Sequence, residues 1–231
     1  ESDSANYFTE DLMDLADHPD VCWLGNAPLQ DYFDIESIIA EILKGGAIPF
    51  SIGGDHSITY PILRAMSASY PSLSILHFDA HGDLYDSLGG NRHSHASPFA
   101  RIMEEGLAQS LTQVGIRTLN DHQQTQVSKF GVKVIDMRNW SPDIDLNLSG
   151  PVYLSFDMDV LDPAFAPGVS HHEPGGFTTR EVLRMIQKLD LNIVGLDLVE
   201  YNPDRDLNGI TAMTAAKIIK ELLAKLLSFQ K

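Results

Sequence analysis

The stretch ILHFDAHGDLYD, Ile75–Asp86, begins as a core strand and ends in ionisable groups. Ile75, Leu76 and Phe78 read as a buried strand. Asp79, His81 and Asp83 then take alternate positions, and alternate side chains of an extended chain share a face. The three therefore converge beyond the strand's carboxyl end. Apolar runs bounded by turn residues recur on both sides of it: VCWLG (21–25), AIPFSIGG (47–54), LTQVGIR (111–117), VKVIDM (132–137), PVYLSFDMD (151–159) and NIVGLDLVE (192–200). Each reads as a strand. Between them lie helical patterns: DIESIIAEILKGG (34–46), TYPILRAMSASY (59–70), ASPFARIMEEG (96–106), TTREVLRMIQKL (178–189) and AMTAAKIIKELLAKLL (212–227). Gly45 and Gly46 suit the end of the first, and Thr178 or Thr179 can cap the fourth with Glu181 in its first turn. Strands alternating with helices predict a three-layer α/β/α domain around a mostly parallel sheet, with its chemistry at the carboxyl ends of the strands.

Composition narrows the function. The chain has 231 residues, 43% of them hydrophobic, enough for one sizeable core and a single domain over 1–231. Its formal net charge of -16, from 32 acidic and 16 basic residues, argues against nucleic acid or an anionic membrane as partner. No run of about 18 apolar residues suggests a membrane span. The single cysteine, Cys22, cannot form an internal disulfide, fits a reducing compartment and reads as a small core residue. Trp23 and Trp140 read as packing residues, and Met66, Met103 and Met185 as helix core positions.

Two further segments repeat the pattern of the first. In SFDMDVLDP, Asp157 and Asp159 alternate with Phe156 and Met158 and so share a face. In SIGGDHS, Gly53 and Gly54 end a strand and His56 opens the next helix. Each alone is an ordinary turn or cap. Together they bring two imidazoles and four carboxylates to strand ends of one α/β chain. Four clustered carboxylates repel one another, and two divalent cations would balance their charge. Mixed imidazole and carboxylate donors suit Mn2+, with Fe, Co, Ni and Zn as alternatives. His77 shares the face of Asp79 but sits deeper, as a hydrogen-bonded histidine behind the site. His93 reads as a surface-loop histidine.

GGDHS, DAHGD, SHASPF and SFDMDVLDPAFAPG resemble the four hallmark segments of the ureohydrolase, or arginase–agmatinase, family. The resemblance runs from about Phe50 to the C-terminus. The wording of HSHASPFARIMEEG, APGVSHHEPGG and LVEYNPDRD is similar to plant-type arginases and agmatinase-like members. It implies an arginase-like fold and two Mn2+ per subunit, one on His56, Asp79, Asp83 and Asp157, the other on Asp79, His81, Asp157 and Asp159. Asp79 and Asp157 would bridge. It further implies His95 as proton shuttle and Glu200 as the seat of the substrate guanidinium, with Asp83 counted among the catalytic groups. The implied reaction hydrolyses agmatine or arginine to urea and putrescine or ornithine. A trimer or hexamer is implied as well.

Substrate choice is less marked. Tyr85 stands where animal-type arginases carry an asparagine, leaving Asn91, Ser94 and Asn120 as polar candidates, and His171, where other branches carry a threonine, is expected to contact Glu200 or the substrate amine region. The family's usual first strand, expected inside the sheet, is not recognisable, which reads as an N-terminally truncated record with strand edges left exposed. The expected location is the cytoplasm, with a mitochondrial one as alternative. Competing readings are a guanidino-acid or formimino-group hydrolase of the same family, a single-zinc deacetylase on a similar sheet, and a non-catalytic subunit.

Overall fold

The computed structural model describes residues 6–229. Six strands, β1 (Phe50–Ile52), β2 (Ser74–Phe78), β3 (Ser110–Ile116), β4 (Lys133–Asp136), β5 (Pro151–Asp157) and β6 (Asn192–Val199), form one sheet in the order β1-β6-β5-β2-β3-β4. Every pair is parallel. Among the described residues six α-helices accompany them: α1 (Asp34–Lys44), α2 (Thr59–Ser69), α3 (Pro98–Glu104), α4 (Asp121–Phe130), α5 (Thr179–Lys188) and α6 (Ile210–Phe229).

Two cores separate the layers. On one face α1, α2 and α3 bring Ile39, Leu63, Met66, Phe99 and Ile102 against Ile75, Leu111 and Tyr153. On the other, α5 and α6 bring Val182, Ile186, Ile218 and Leu222 against Leu76, Phe78, Leu154 and Phe156. The alternation in β2 thus places Leu76 and Phe78 on the α5–α6 side and Ile75 on the other. A sheet buried on both faces explains why its strands read as nearly continuous apolar runs.

Local signals set the helix ends. Ile35, Ile38, Ile39 and Ile42 make one apolar stripe on α1, and the left-handed residue that ends it is Gly46, φ 74°. Thr178 and Glu181 form a reciprocal capping box on α5. Met66 is buried and Met103 and Met185 are half-buried in the cores, and Trp140 packs edge-on against Phe177 at 5.0 Å.

Two expectations are corrected. VCWLG (21–25) forms no strand, because its backbone gains no neighbour to pair with; Cys22 is exposed and Trp23 is 74% exposed. These residues line an open groove of about 800 Å3 beside the outer edge of β1, together with Phe50 and Ile52. Helix α4 was not expected from DHQQTQVSKF, which has few apolar positions; an Asn120 cap and a left-handed Gly131 bound it instead. The six strands pair without an interior gap, and β1 is an edge strand.

Candidate metal centre

Register brings the ionisable groups together. Phe78 pairs with Phe156 across β2 and β5, so Asp79 and Asp157 leave the sheet at one level. Asp157 pairs with Val199 across β5 and β6, so Glu200 follows immediately beyond. Ile52 pairs with Leu198, and past it Gly54 accepts a hydrogen bond from the Glu200 backbone N–H at 2.8 Å. The chain then enters a single 3-10 turn that presents His56. A Cβ on Gly53 would meet the end of the Ile58 side chain, which would have to move aside.

His56 Nδ1 lies 3.1 Å from Asp157 Oδ2, 3.2 Å from Asp83 Oδ2 and 3.3 Å from Asp79 Oδ2. His81 Nδ1 lies 3.0 Å from Asp159 Oδ2 and 3.4 Å from Asp79 Oδ1. Asp79 therefore presents one oxygen to each imidazole. Asp157 turns one oxygen to His56 and with the other accepts the backbone N–H of Asp159 at 2.7 Å. Asp159 accepts the N–H of Ala80 at 3.1 Å, and Asp79 that of His81 at 2.6 Å. His56, Asp79, Asp83, Asp157, Asp159 and Glu200 are all buried, and His81 is partly exposed.

The electrostatics are those of charge gathered out of water. Burial lowers the pKa of His56, but hydrogen bonds to Asp157, Asp79 and Asp83 outweigh it and hold the imidazole well above its usual range. His81, also opposed by burial, is pushed up to about 12 by Asp159 and Asp79. Burial and the neighbouring Asp159 and Asp79 charges drive Asp157 well up, and burial with Asp79 raises Asp159 to about 6. Asp79 goes the other way, since His77, His56 and His81 overcome its burial. Each of these groups pairs a carboxylate oxygen with an imidazole nitrogen, a donor set that fits two divalent cations sharing Asp79.

Two groups of possible ligand atoms lie close together among the described residues: Asp79 with His81 and Asp159, and His56 with His77 and Asp79. His77 is excluded as a ligand by its protons. Gln113 Nε2 donates to the Gly82 carbonyl at 2.6 Å, which fixes the amide's orientation, and also lies 3.0 Å from His77 Nδ1. Nδ1 must then accept, and Nε2–H donates to Asp79 Oδ2 at 2.8 Å. His77 orients Asp79 from behind. Gln113 and Arg117 were not singled out from the sequence. Arg117 donates to the Asp159 backbone carbonyl at 2.7 Å and to the Glu173 backbone carbonyl at 2.7 and 2.9 Å, clamping the loop that carries Asp159. Gln113 left one signal, a polar residue inside an apolar strand.

Around this floor the other expected residues scatter. Glu200 accepts the His56 backbone N–H at 2.9 Å, and burial raises it to about 7. Its φ of 64° and the 47° of Asp83 are left-handed, a backbone state uncommon outside glycine. His95 stacks on His171 with ring centroids 5.0 Å apart, and His171 meets His81 edge-on at 6.1 Å. Burial, helped by His95 and His81, lowers the pKa of His171. Asn91 accepts the His93 N–H, and Asn120 caps α4 while donating to the Tyr85 hydroxyl. Ser94 is buried against Ser97 at 3.0 Å. His93 is exposed and stacks with Tyr32 and Tyr60.

The chain is similar to known proteins along most of its length. Residues 3–224 match the arginase family. A mitochondrial arginase of Medicago truncatula is 45% identical over 245 residues, covering 97% of this chain and 72% of its own length. A mitochondrial guanidino acid hydrolase of Homo sapiens is 38% identical over 206 residues, covering 83% of this chain and 58% of its own. The solved Medicago truncatula arginase superposes with a TM-score of 0.87 at 44% identity, over 97% of this chain and 77% of that one.

Proposed function

The chain belongs to the arginase family, a hydrolase of guanidino carbon–nitrogen bonds, and from that premise we propose that it hydrolyses arginine to urea and ornithine on a binuclear manganese centre. The observation that carries the reading is the pair of imidazoles drawn onto the two oxygens of Asp79, within one buried set of aspartates. His56, Asp79, Asp83 and Asp157 would hold one ion, and Asp79, His81, Asp157 and Asp159 the other. When bound, such ions would acidify a water and neutralise the four carboxylates.

The chain's own groups do the rest. Glu200, fixed at both its backbone and one carboxylate oxygen, offers its other oxygen to a guanidinium. A guanidinium carbon is a poor electrophile because its charge is spread, so orientation matters. The leaving amine needs a proton, and His95 beside His171 at the mouth supplies it. Arginine is preferred to agmatine because the plant relatives are named arginases. Their mitochondrial names support an organellar location, which cell fractionation checks, and no helix among the described residues is long and apolar enough to cross a membrane. A trimer or hexamer is the assembly to look for by light scattering.

The test is urea release from arginine, agmatine, guanidinobutyrate and guanidine with added Mn2+. Arginine should far exceed the rest. Urea chiefly from agmatine or guanidinobutyrate would move the substrate within the family. No urea from a chain that retains its metal would leave a non-catalytic subunit, and about one zinc per chain would point to the deacetylase reading.

A further inference from the structure

We infer that Asp197, acting through Ser155, is a positioning residue that fixes which nitrogen of His56 faces the metal site. The inference rests on the metal-centre reading above.

Asp197 lies fully buried in the middle of β6, inside the apolar run GLDLV. A carboxylate sealed from water is costly unless it is hydrogen-bonded. Its three side-chain partners are all hydroxyls. Oδ2 accepts from Thr59 Oγ1 and from Tyr153 OH, both at 2.7 Å, and Oδ1 accepts from Ser155 Oγ at 2.7 Å. Ser155 Oγ also stands 2.8 Å from His56 Nε2.

Counting protons decides the direction of that last contact. A carboxylate only accepts. Ser155 has one hydroxyl proton and gives it to Asp197, so toward His56 it offers only lone pairs. Nε2 must therefore carry a proton. The lone pair of the neutral ring is then on Nδ1, the atom 3.1–3.3 Å from Asp157, Asp83 and Asp79. A carboxylate behind a metal-binding histidine commonly sets its tautomer directly; here a serine is interposed. Both relay residues belong to strands, β5 and β6, and His56 sits on a turn after β1, so the relay also ties the turn to the sheet. His81 has no equivalent among the described residues. Its side-chain contacts with the carboxylates run through Nδ1 alone.

The experiment is a Mn2+ titration of the whole purified chain, followed by loss of the free-ion electron paramagnetic resonance signal, on the unaltered chain, Ser155→Ala and Asp197→Asn. In Asp197→Asn the new amide donates toward Ser155, whose proton turns to His56 and reverses the tautomer. Both variants should weaken one of the two ions by roughly 10–100-fold while the other stays within about twofold. Asp197→Asn is isosteric and carries the test by itself where Ser155→Ala does not fold. Thr59→Val removes a hydroxyl from the same carboxylate without touching Ser155; it should lower the melting temperature and leave both affinities. Equal weakening by Thr59→Val reduces the relay to general packing and overturns the inference. Two ions bound as tightly by Ser155→Ala and Asp197→Asn as by the unaltered chain overturn it alone. An unaltered chain that takes up no Mn2+ overturns it together with the reading beneath it.

Discussion

At the carboxyl ends of β1, β2, β5 and β6 the molecule buries charge, and along residues 6–33 it exposes apolar side chains. Both invert the usual placement, but in unlike ways. The strand-end aspartates are held from several sides: Asp79 contacts His56, His77 and His81 and accepts a backbone N–H. Trp23 and Leu24, 74% and 69% exposed, sit on a segment with no strand partner. Buried polar groups held in such a network specify geometry. Scattered exposed apolar groups carry little energy and little information. The first region should therefore be brittle to substitution and the second tolerant.

The sharpest way to break the contrast is Asp159→Asn. Turnover should fall by more than the ~10²–10⁴ that a single proton-transfer group contributes, with one of two Mn2+ lost on metal analysis. Retention of both ions and of activity would undo the ligand assignment. His95→Ala comes next. Steady-state kinetics should show a loss of ~10²–10⁴ in kcat at unchanged metal content, since His95 stands at the mouth and not in the floor.

The N-terminal segment is anchored chiefly at Glu10, which accepts from Arg180 at 2.7 and 2.9 Å and from Gln187 at 3.0 Å. Those hydrogen bonds, to Arg180 above all, lower its pKa from 4.5 to about 2. A depressed carboxylate contributes stability that is present above its unfolded pKa and is lost as pH falls through the folded one. Amide hydrogen exchange in residues 6–20 should accordingly rise as pH falls from 4.5 toward 2, after correction for intrinsic rates. Glu10→Gln should show the loosening at neutral pH, at about 1 kcal/mol or less because the pair is near the surface. The smallest effect belongs to Trp23→Ser, within about 0.5 kcal/mol by denaturant unfolding. A larger loss would mean that the indole is covered in solution, and the tolerant half of the contrast would fail.

The same contrast explains what could be read in advance. The period of two in β2 is a local rule and holds as far as Phe78; beyond it the chain leaves the extended form, and it is a turn with Asp83 left-handed that brings Asp79, His81 and Asp83 together, with His77 behind them. VCWLG obeys the same rule and misleads, because pairing is supplied by a neighbour that a local pattern does not contain. Helix α4 was missed for the opposite reason: Asn120 and Gly131 bound it plainly, but Val127 and Phe130 are its few apolar contacts. The left-handed backbone at Glu200 leaves no trace in residue type, whereas Asp83 is of a type that, like asparagine, visits that region more readily than most. Asp197 did leave one, a charge inside an apolar run. Its meaning needed three hydroxyls from α2 and β5.

Glu200 and His56 are joined twice, through the Glu200 N–H to Gly54 and the His56 N–H to the Glu200 carboxylate. Mechanically, the two seats form one rigid bracket. A substitution that shifts either strand end is therefore passed to the other through these two hydrogen bonds.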